Sequence, residues 1–273
     1  MNYTGNIRKM RTNLDSEGNV NYRMILYDNL EAGEEVEMNQ FIGQEITIKF
    51  EDQINCVVTG KKINKTFGDG MSWDAFRKSP MAVESIIRPE LSQAHLGIGL
   101  RDLEWEIEHH VKPHISYLSL TSGIKVGVTR STQVPTRWID QGAVEAIILA
   151  ETPYRQAAGL IEVALKGHMA DKTNWRNMLK NVFTNTSDLL EMKARAIELI
   201  PEDLRSFISD NNEITKIIFP VLKYPEKVKS LKLDKAPLIE KKLLGIKGQY
   251  LLLEDDHVIN IRSHSGYKIS LSV

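Results

Sequence analysis

Cysteine is almost missing from this chain: Cys56 is the one example among 273 residues. That count excludes an intramolecular disulfide framework and any zinc site built from several cysteines, and it fits a reducing compartment. Long apolar runs are missing as well. None approaches the roughly 20 residues that span a bilayer, and the opening MNYTGNIRKMRTNL lacks the continuous hydrophobic core of a signal peptide. The expectation is a soluble, cytoplasmic protein with no membrane partner. No low-complexity linker and no internal repeat of useful length breaks the chain, and there is no dense basic stripe of the kind usual in nucleic-acid binders.

What is present is an ordinary globular composition, 42% hydrophobic with a net charge of −1, enough to build one large or two ordinary domains around a sizeable core. The near-neutral total hides an asymmetry. Residues 1–60 carry 5 Lys/Arg against 10 Asp/Glu, residues 110–180 carry 9 against 5, and residues 181–273 carry 14 against 13. The positive middle favours a polyanion such as DNA or RNA electrostatically, although ordinary surface variation produces such an excess as readily. Protein partners leave no signal.

The period of the apolar residues divides the chain. Ile7 to Thr12, Tyr22 to Tyr27 and Glu45 to Phe50 read as strands separated by Ser16-Glu17-Gly18 and by an acidic, glycine-containing loop. Residues 61–112 are irregular with short helical pieces. From 113 to 180 the order is strand, strand, helix, strand, helix. Tyr117 lies in an apolar run that ends at Thr121-Ser122-Gly123, and Ile124, Val126 and Val128 then alternate as a core face with Lys125 and Gly127 opposite. Pro135 fits the first position of a short helix carrying Arg137 and Trp138, and Gly142 fits just past its end. Ala143 to Ala150 reads as a third strand, and Thr152-Pro153 as the N-cap and first turn of a helix from Tyr154 to His168. Residues 181–235 read as a helical connection, with one helix after Thr186 and another opening at Pro201-Glu202-Asp203. Strands return from about 236. They are expected to pair with the N-terminal ones, making residues 1–60 plus 236–273 one discontinuous β domain, because each set alone is a small sheet with an edge to protect.

The tyrosine, the G-V-T-R turn after a paired strand and the Arg-Trp helix resemble the start of a GIY-YIG nuclease domain, over roughly residues 113–180. Across its whole length the sequence more specifically resembles an uncharacterised bacterial family known only as domain of unknown function 2797, through KVGVTRSTQVPTRWIDQGA, YPEKVKSLKLDKAP and LLGIKGQYLLL. The resemblance implies an α+β protein with a GIY-YIG-like central α/β module inserted between N- and C-terminal β segments. It also implies a reaction, metal-assisted phosphodiester hydrolysis, in which a divalent cation and a guanidinium neutralise charge developing on the phosphate oxygens.

Residue by residue, the resemblance makes Tyr117 the first motif tyrosine, Arg137 the phosphate-binding arginine, Glu162 the carboxylate for Mg²⁺ or Mn²⁺, and Asn174 the distal amide. Lys125 stands where the second motif tyrosine belongs, and a lysine binds phosphate as a point charge but is a poor base near neutral pH. Each residue also has a structural explanation. Glu162 can pair with Lys166 one helical turn on, Tyr117 can be a half-buried strand residue, Asn174 can cap a helix, and Arg137 can bridge to Asp140 or Glu145. A noncatalytic nucleic-acid-binding or interaction module, and a regulatory module that binds a small anion, are the competing functional readings.

Two further clusters invite a metal. Relatives of the unknown-function family carry cysteine clusters near Cys56 that look like zinc ligands, but here Thr59, Ser72 and Ala75 occupy the other positions, so 61–112 reads as a degenerate, cysteine-depleted segment and no zinc is expected. Phe67, Trp73, Phe76, Ile86 and Ile87 offer apolar packing in its place. His109, His110 and His114 are close in sequence, but neighbouring histidines point differently and the spacing is not that of a zinc helix.

Overall fold

The computed structural model describes residues 1–169, 173–184 and 187–273. Residues 170–172, inside the span read as a nuclease-like module, and Thr186, read as the start of a helix, lie outside the described residues. The fold is mixed α and β, with a large sheet and a smaller one. The chain divides into two compact units, the first of residues 1–78, 179–181 and 218–273, the second of residues 79–178 and 182–217.

In the first unit the two ends of the chain share one sheet. Asn2–Asn6 pairs antiparallel with Tyr267–Ser272, which pairs with Glu45–Asn55, which pairs in turn with Leu238–Lys247. Alternation on Glu45–Asn55 explains the choice of face: Ile46 and Ile48 are buried with Ile239, Ile269 and Leu271, while Glu45 and Lys49 face out.

Two N-terminal expectations need correction. Ile7 to Thr12 is not a strand. Strands run from Asn2–Asn6 and Arg11–Leu14, and the residues between them form a turn that drops Ile7 and Met10 into the core. The Met10 N–H is satisfied by the Gln249 side chain at 2.7 Å rather than by a ladder, so buried apolar residues mimic a strand pattern without strand backbone. The acidic loop contains a strand, Glu31–Glu37, paired with Val20–Asp28. Two of its four carboxylates are met by arginines, Glu35 by Arg11 and Arg23, and Glu37 by Arg23 at 2.8 Å.

The second unit is built on an antiparallel sheet in the order Thr215–Lys216, Glu145–Thr152, His114–Leu120, Ile124–Arg130. Leu118, Ile124, Val126, Ile147 and Leu149 face one way and are covered by Ile161 and Leu165 of the helix Arg155–Lys166 and by Leu189 and Ala196 of the helix Leu189–Leu199. Asp188 caps the latter by accepting from the Leu190 and Glu191 N–H groups. Thr152 does not cap the former. Its hydroxyl donates to the His114 carbonyl at 3.2 Å, and the helix begins after Tyr154 without a side-chain cap. The expected helix at Pro201-Glu202-Asp203 is a 3₁₀ helix, Glu202–Phe207, so the segment 181–235 is helical only in its first half; Lys229–Leu231 is a strand parallel to His257–Asn260. The short helix with Arg137 spans Thr136–Asp140. Pro135 stands one position before it, and Gly142 follows with φ of 72°, the left-handed conformation that ends helices.

Candidate phosphate site

The register of the two central strands decides which side chains can meet. Tyr117 lies opposite Gly127 and Ser119 opposite Lys125, so these four share the face turned away from Leu118 and Val126. Ile124–Arg130 is the last strand of this sheet. The Tyr117 ring lies across it through the gap that Gly127 leaves. A Cβ at position 127 would stand 2.6 Å from the phenol oxygen. The ring meets Trp138 edge-on at 5.9 Å, and its hydroxyl donates to Gln141 Oε1 at 2.9 Å.

Electrostatics link this hydroxyl to both elements that carry expected site residues. Burial pushes the Tyr117 pKa up; the Arg137 guanidinium opposes the rise and the Glu162 carboxylate adds to it. Burial likewise pushes Glu162 up, against Lys166, while Glu90 raises it further and Arg155 lowers it. The Glu162–Lys166 pair foreseen on the helix surface is present at 3.5 Å. Arg137 and Glu162 thus each act on Tyr117, whereas Lys125, buried, lies on the sheet face of Tyr117 and not on the Leu118 face that the Glu162 helix covers. Asn174 is used differently. Its side chain accepts from the Asn177 N–H at 3.2 Å, capping the helix Trp175–Leu179, and its own N–H donates to Ser122 Oγ at 2.9 Å.

Residues absent from the expected set complete the surroundings. Arg155, Gly159, Glu162 and Lys166 form one stripe on their helix, being spaced by four, three and four. At Gly159 the chain of Pro89 and Glu90 lies directly on the helix, since a Cβ there would come 2.3 Å from the Glu90 nitrogen. This close approach brings the Glu90 carboxylate, whose Oε2 is buried without a hydrogen-bond partner, within electrostatic reach of Glu162. Gln141 follows Arg137 by four and was open to the same argument. Its partner in the other strand was not.

Metal ligands are sparse. Among the described residues no group of three or more His, Cys, Asp or Glu is placed to hold an ion. The histidines go separate ways: His109 Nδ1 to Trp105 O, His110 Nδ1 to Ser92 Oγ, and His114 Nδ1 to Lys112 O. Burial, aided by the Arg155 charge, brings His110 and His114 down to about 4. Cys56 is wholly buried. Burial pushes its thiol up, but hydrogen bonds from the Thr59 side chain and from the backbone of Ser72, Thr59 and Val58 win and bring it to about 7. A cleft of about 230 Å³ in the first unit, lined by Lys223, Tyr224, Asp255 and Asp256 among others, contains none of the expected site residues.

No curated protein and no solved structure is detectably similar to the chain. The match that exists is to a family profile and covers residues 43–269, from the Glu45–Asn55 strand through the second unit and back to the last strand: the chain belongs to the family described as protein of unknown function (DUF2797).

Proposed function

We propose that the second unit is a GIY-YIG-like module that processes nucleic acid, DNA or RNA, by phosphodiester hydrolysis in a reducing cytoplasm, at a site comprising Tyr117, Lys125, Arg137 and Glu162, with Asn174 supporting it from its helix cap. The observation that carries this reading is that the Tyr117 hydroxyl feels both the Arg137 guanidinium and the Glu162 carboxylate. Arg137 grips a nonbridging phosphate oxygen, and Lys125 contacts a second. Tyr117 stays protonated because its pKa is raised. Its proton goes to Gln141 and its oxygen accepts from Arg137, which leaves one lone pair to accept from a water and orient it. It is not a general base.

Glu162 suits Mg²⁺ or Mn²⁺. It is a carboxylate with 13% of its side chain exposed and a 3.5 Å ion pair to Lys166, long enough to yield, and Mg²⁺ is commonly held by one or two carboxylates with the remaining positions taken by water and phosphate. When bound, the ion supplies charge neutralisation and an acidified water. The competing reading, a noncatalytic module that binds nucleic acid or a small anion, draws on the same Glu162–Lys166 pair and on the scarcity of other metal ligands among the described residues.

Binding and cleavage of single- and double-stranded DNA and RNA, with and without Mg²⁺ or Mn²⁺, separate the two. Glu162→Gln is expected to cut cleavage by 100-fold or more, on the order of the loss of one preorganised charge group, and to leave binding largely intact, whereas Arg137→Ala weakens both. Salt-sensitive binding without cleavage by the wild type selects the noncatalytic module. Neither binding nor cleavage of any substrate rejects nucleic acid.

A further inference from the structure

Arg155 is fixed in place by groups far away in sequence. Its Nε donates to the Ser85 carbonyl at 2.8 Å and its Nη2 to the Ile86 carbonyl at 2.9 Å, and its Nη1 lies 3.5 Å from His114 Nε2. His114 is wholly buried and its Nδ1 sits 2.7 Å from the Lys112 carbonyl, so Nδ1 carries the proton and Nε2 offers its lone pair to the arginine. A guanidinium has five N–H groups. Three are engaged by described residues, which leaves two among those residues on a cation whose position is set before any ligand arrives.

The surroundings of that cation are unusual in sign. The charges of Arg130 and Arg137 both act on Arg155, and the carboxylates of Glu162 and Glu90 oppose them. Those carboxylates are shared, Glu162 with Lys166 at 3.5 Å and Glu90 with Arg88 at 3.2 Å. Three guanidiniums gathered around two shared carboxylates repel one another in a partly dry setting, and a further anion relieves that repulsion. His110 adds a second, independent sign. It is 2% exposed, its Nδ1 is 3.0 Å from Ser92 Oγ, its Nε2 has no hydrogen-bond partner, and Arg155 and Arg130 are among the charges acting on it. Strand register sets Arg130 opposite His114, the residue that Arg155 Nη1 approaches, and in the tautomer in which Ser92 Oγ donates to Nδ1 the His110 Nε2 carries an N–H that a phosphate oxygen accepts.

We propose that Arg155, Arg130 and His110 form a second anion subsite that takes the phosphate adjacent to the one held by Arg137, so that the ligand is a strand of linked phosphodiesters rather than a single phosphate. The proposal rests on the reading of Arg137 as a phosphate ligand. Arg155 is the rigid member of the subsite, Arg130 the adjustable one at the end of its strand, and His110 the neutral donor.

The test uses the full chain and labelled single-stranded DNA and RNA oligonucleotides, with affinity measured across a range of salt concentrations. Inorganic pyrophosphate is titrated separately while the His110 imidazole resonance is followed. Arg130→Gln and Arg155→Gln are each expected to weaken oligonucleotide binding about tenfold and to lower the salt slope by about one phosphate contact, and pyrophosphate is expected to shift the His110 resonance. Thermal melting guards against misfolding of Arg155→Gln; if that variant melts early, Arg130→Gln and the His110 resonance decide. Binding whose salt slope falls with Arg137→Gln but not with Arg130→Gln or Arg155→Gln overturns the subsite and leaves the Arg137 site standing. Loss of slope with Arg130→Gln and Arg155→Gln but not with Arg137→Gln keeps the subsite and removes the phosphate role of Arg137. Pyrophosphate binding without any oligonucleotide binding overturns the assignment to a polynucleotide.

Discussion

The Cys56 segment and the second unit around Tyr117 differ in how their buried polar groups are satisfied. Around Cys56 the thiol accepts the Ser72 N–H at 3.2 Å, and Ser72 Oγ accepts the Ala75 N–H at 3.2 Å, so hydrogen bonds link three of the positions where the family resemblance implies zinc ligands. Besides Cys56, those positions hold a threonine, a serine and an alanine. In the unit that holds Tyr117 several buried polar atoms are left without partners among the described residues. Ser85 Oγ, Glu90 Oε2, His110 Nε2, Ser119 Oγ and Trp138 Nε1 are such atoms in the second unit, against Thr12 Oγ1 in the first. A polar cluster with no ligand to bind is relieved by bonds within the chain. One that meets a ligand keeps its charges together against their own repulsion, and the cost falls on stability.

That contrast is sharpest where a buried cation is compared with another. Lys247, in the first unit, is wholly buried, donates to Asn181 Oδ1 at 2.7 Å, and lies over the rings of Phe219 and Tyr224. Burial brings its amine down to about 7, whereas Arg155 stays charged with a pKa of about 10. Above pH 7 the folded lysine is neutral while the unfolded chain holds its proton to about 10.5, so the folded state binds fewer protons and stability from this group rises with pH across that window. Lys247→Met removes the rise. The difference between wild type and variant, followed by urea denaturation from pH 7 to 10.5, is expected to change in favour of the wild type by on the order of 4 kcal/mol, with the variant the more stable of the two at pH 7. A flat difference would mean that Lys247 is as well served in the fold as in water.

Close approach to glycine separates the halves of the candidate site by a smaller margin. Gly159→Ala sets a methyl group 2.3 Å from the Glu90 nitrogen and 2.5 Å from the Pro89 carbonyl carbon, both backbone, and should cost about 3 kcal/mol because neither can swing aside. Gly127→Ala meets the hydroxyl end of the Tyr117 ring at 2.6 Å and should cost about 2 kcal/mol with the ring displaced from Gln141. Thermal melting ranks the two, and tyrosine fluorescence or an aromatic NMR shift reports the displacement. Equal losses with an undisturbed ring would show that Gly127 is not what lets Tyr117 cross the strand.

These residues also mark what the amino-acid pattern could and could not reveal. Tyr117, Lys125 and Gly127 were readable because strand alternation is local, and Arg137 because Pro135 and Gly142 bracket its helix. The short helix starts one residue later than read, a matter of which residue caps it. Arg155 and Glu90 escaped notice for a common reason. Arg155 is held by Ser85, Ile86 and His114, between 41 and 70 residues away, and Glu90 sits in a run of 3₁₀ turns, Pro80–Ala82, Glu84–Ile86 and Pro89–Leu91, that has no period to read. The stripe from Arg155 to Lys166 was nevertheless visible, with a glycine in its middle where a helix has no need of one. Asn174 shows the opposite limit. Its order in the chain fits the nuclease pattern, and the side chain nonetheless serves as a helix cap, because order along a sequence does not fix the direction of a side chain.

The smallest expected effect is at Cys56, and it is the one that tests whether the two regions differ in this way. Zinc in a structural site contributes folding energy outright, and chelation then destabilises the protein. Here burial and the bonds to Cys56 Sγ and Ser72 Oγ already satisfy the scaffold, and the rings of Phe67, Trp73 and Phe76 pack against one another at 5.0 to 6.5 Å beside it. Elemental analysis of purified protein should therefore find far less than one equivalent of zinc, and EDTA should leave the melting temperature unchanged. Thr59→Cys, Ser72→Cys and Ala75→Cys combined should present four thiolates with Cys56, capture one zinc per chain, and make melting sensitive to EDTA. Stoichiometric zinc in the wild type, lost together with stability on chelation, would place a working metal site at Cys56 and erase the contrast. Failure of the triple variant to take up zinc would show instead that these four positions do not converge on one ion.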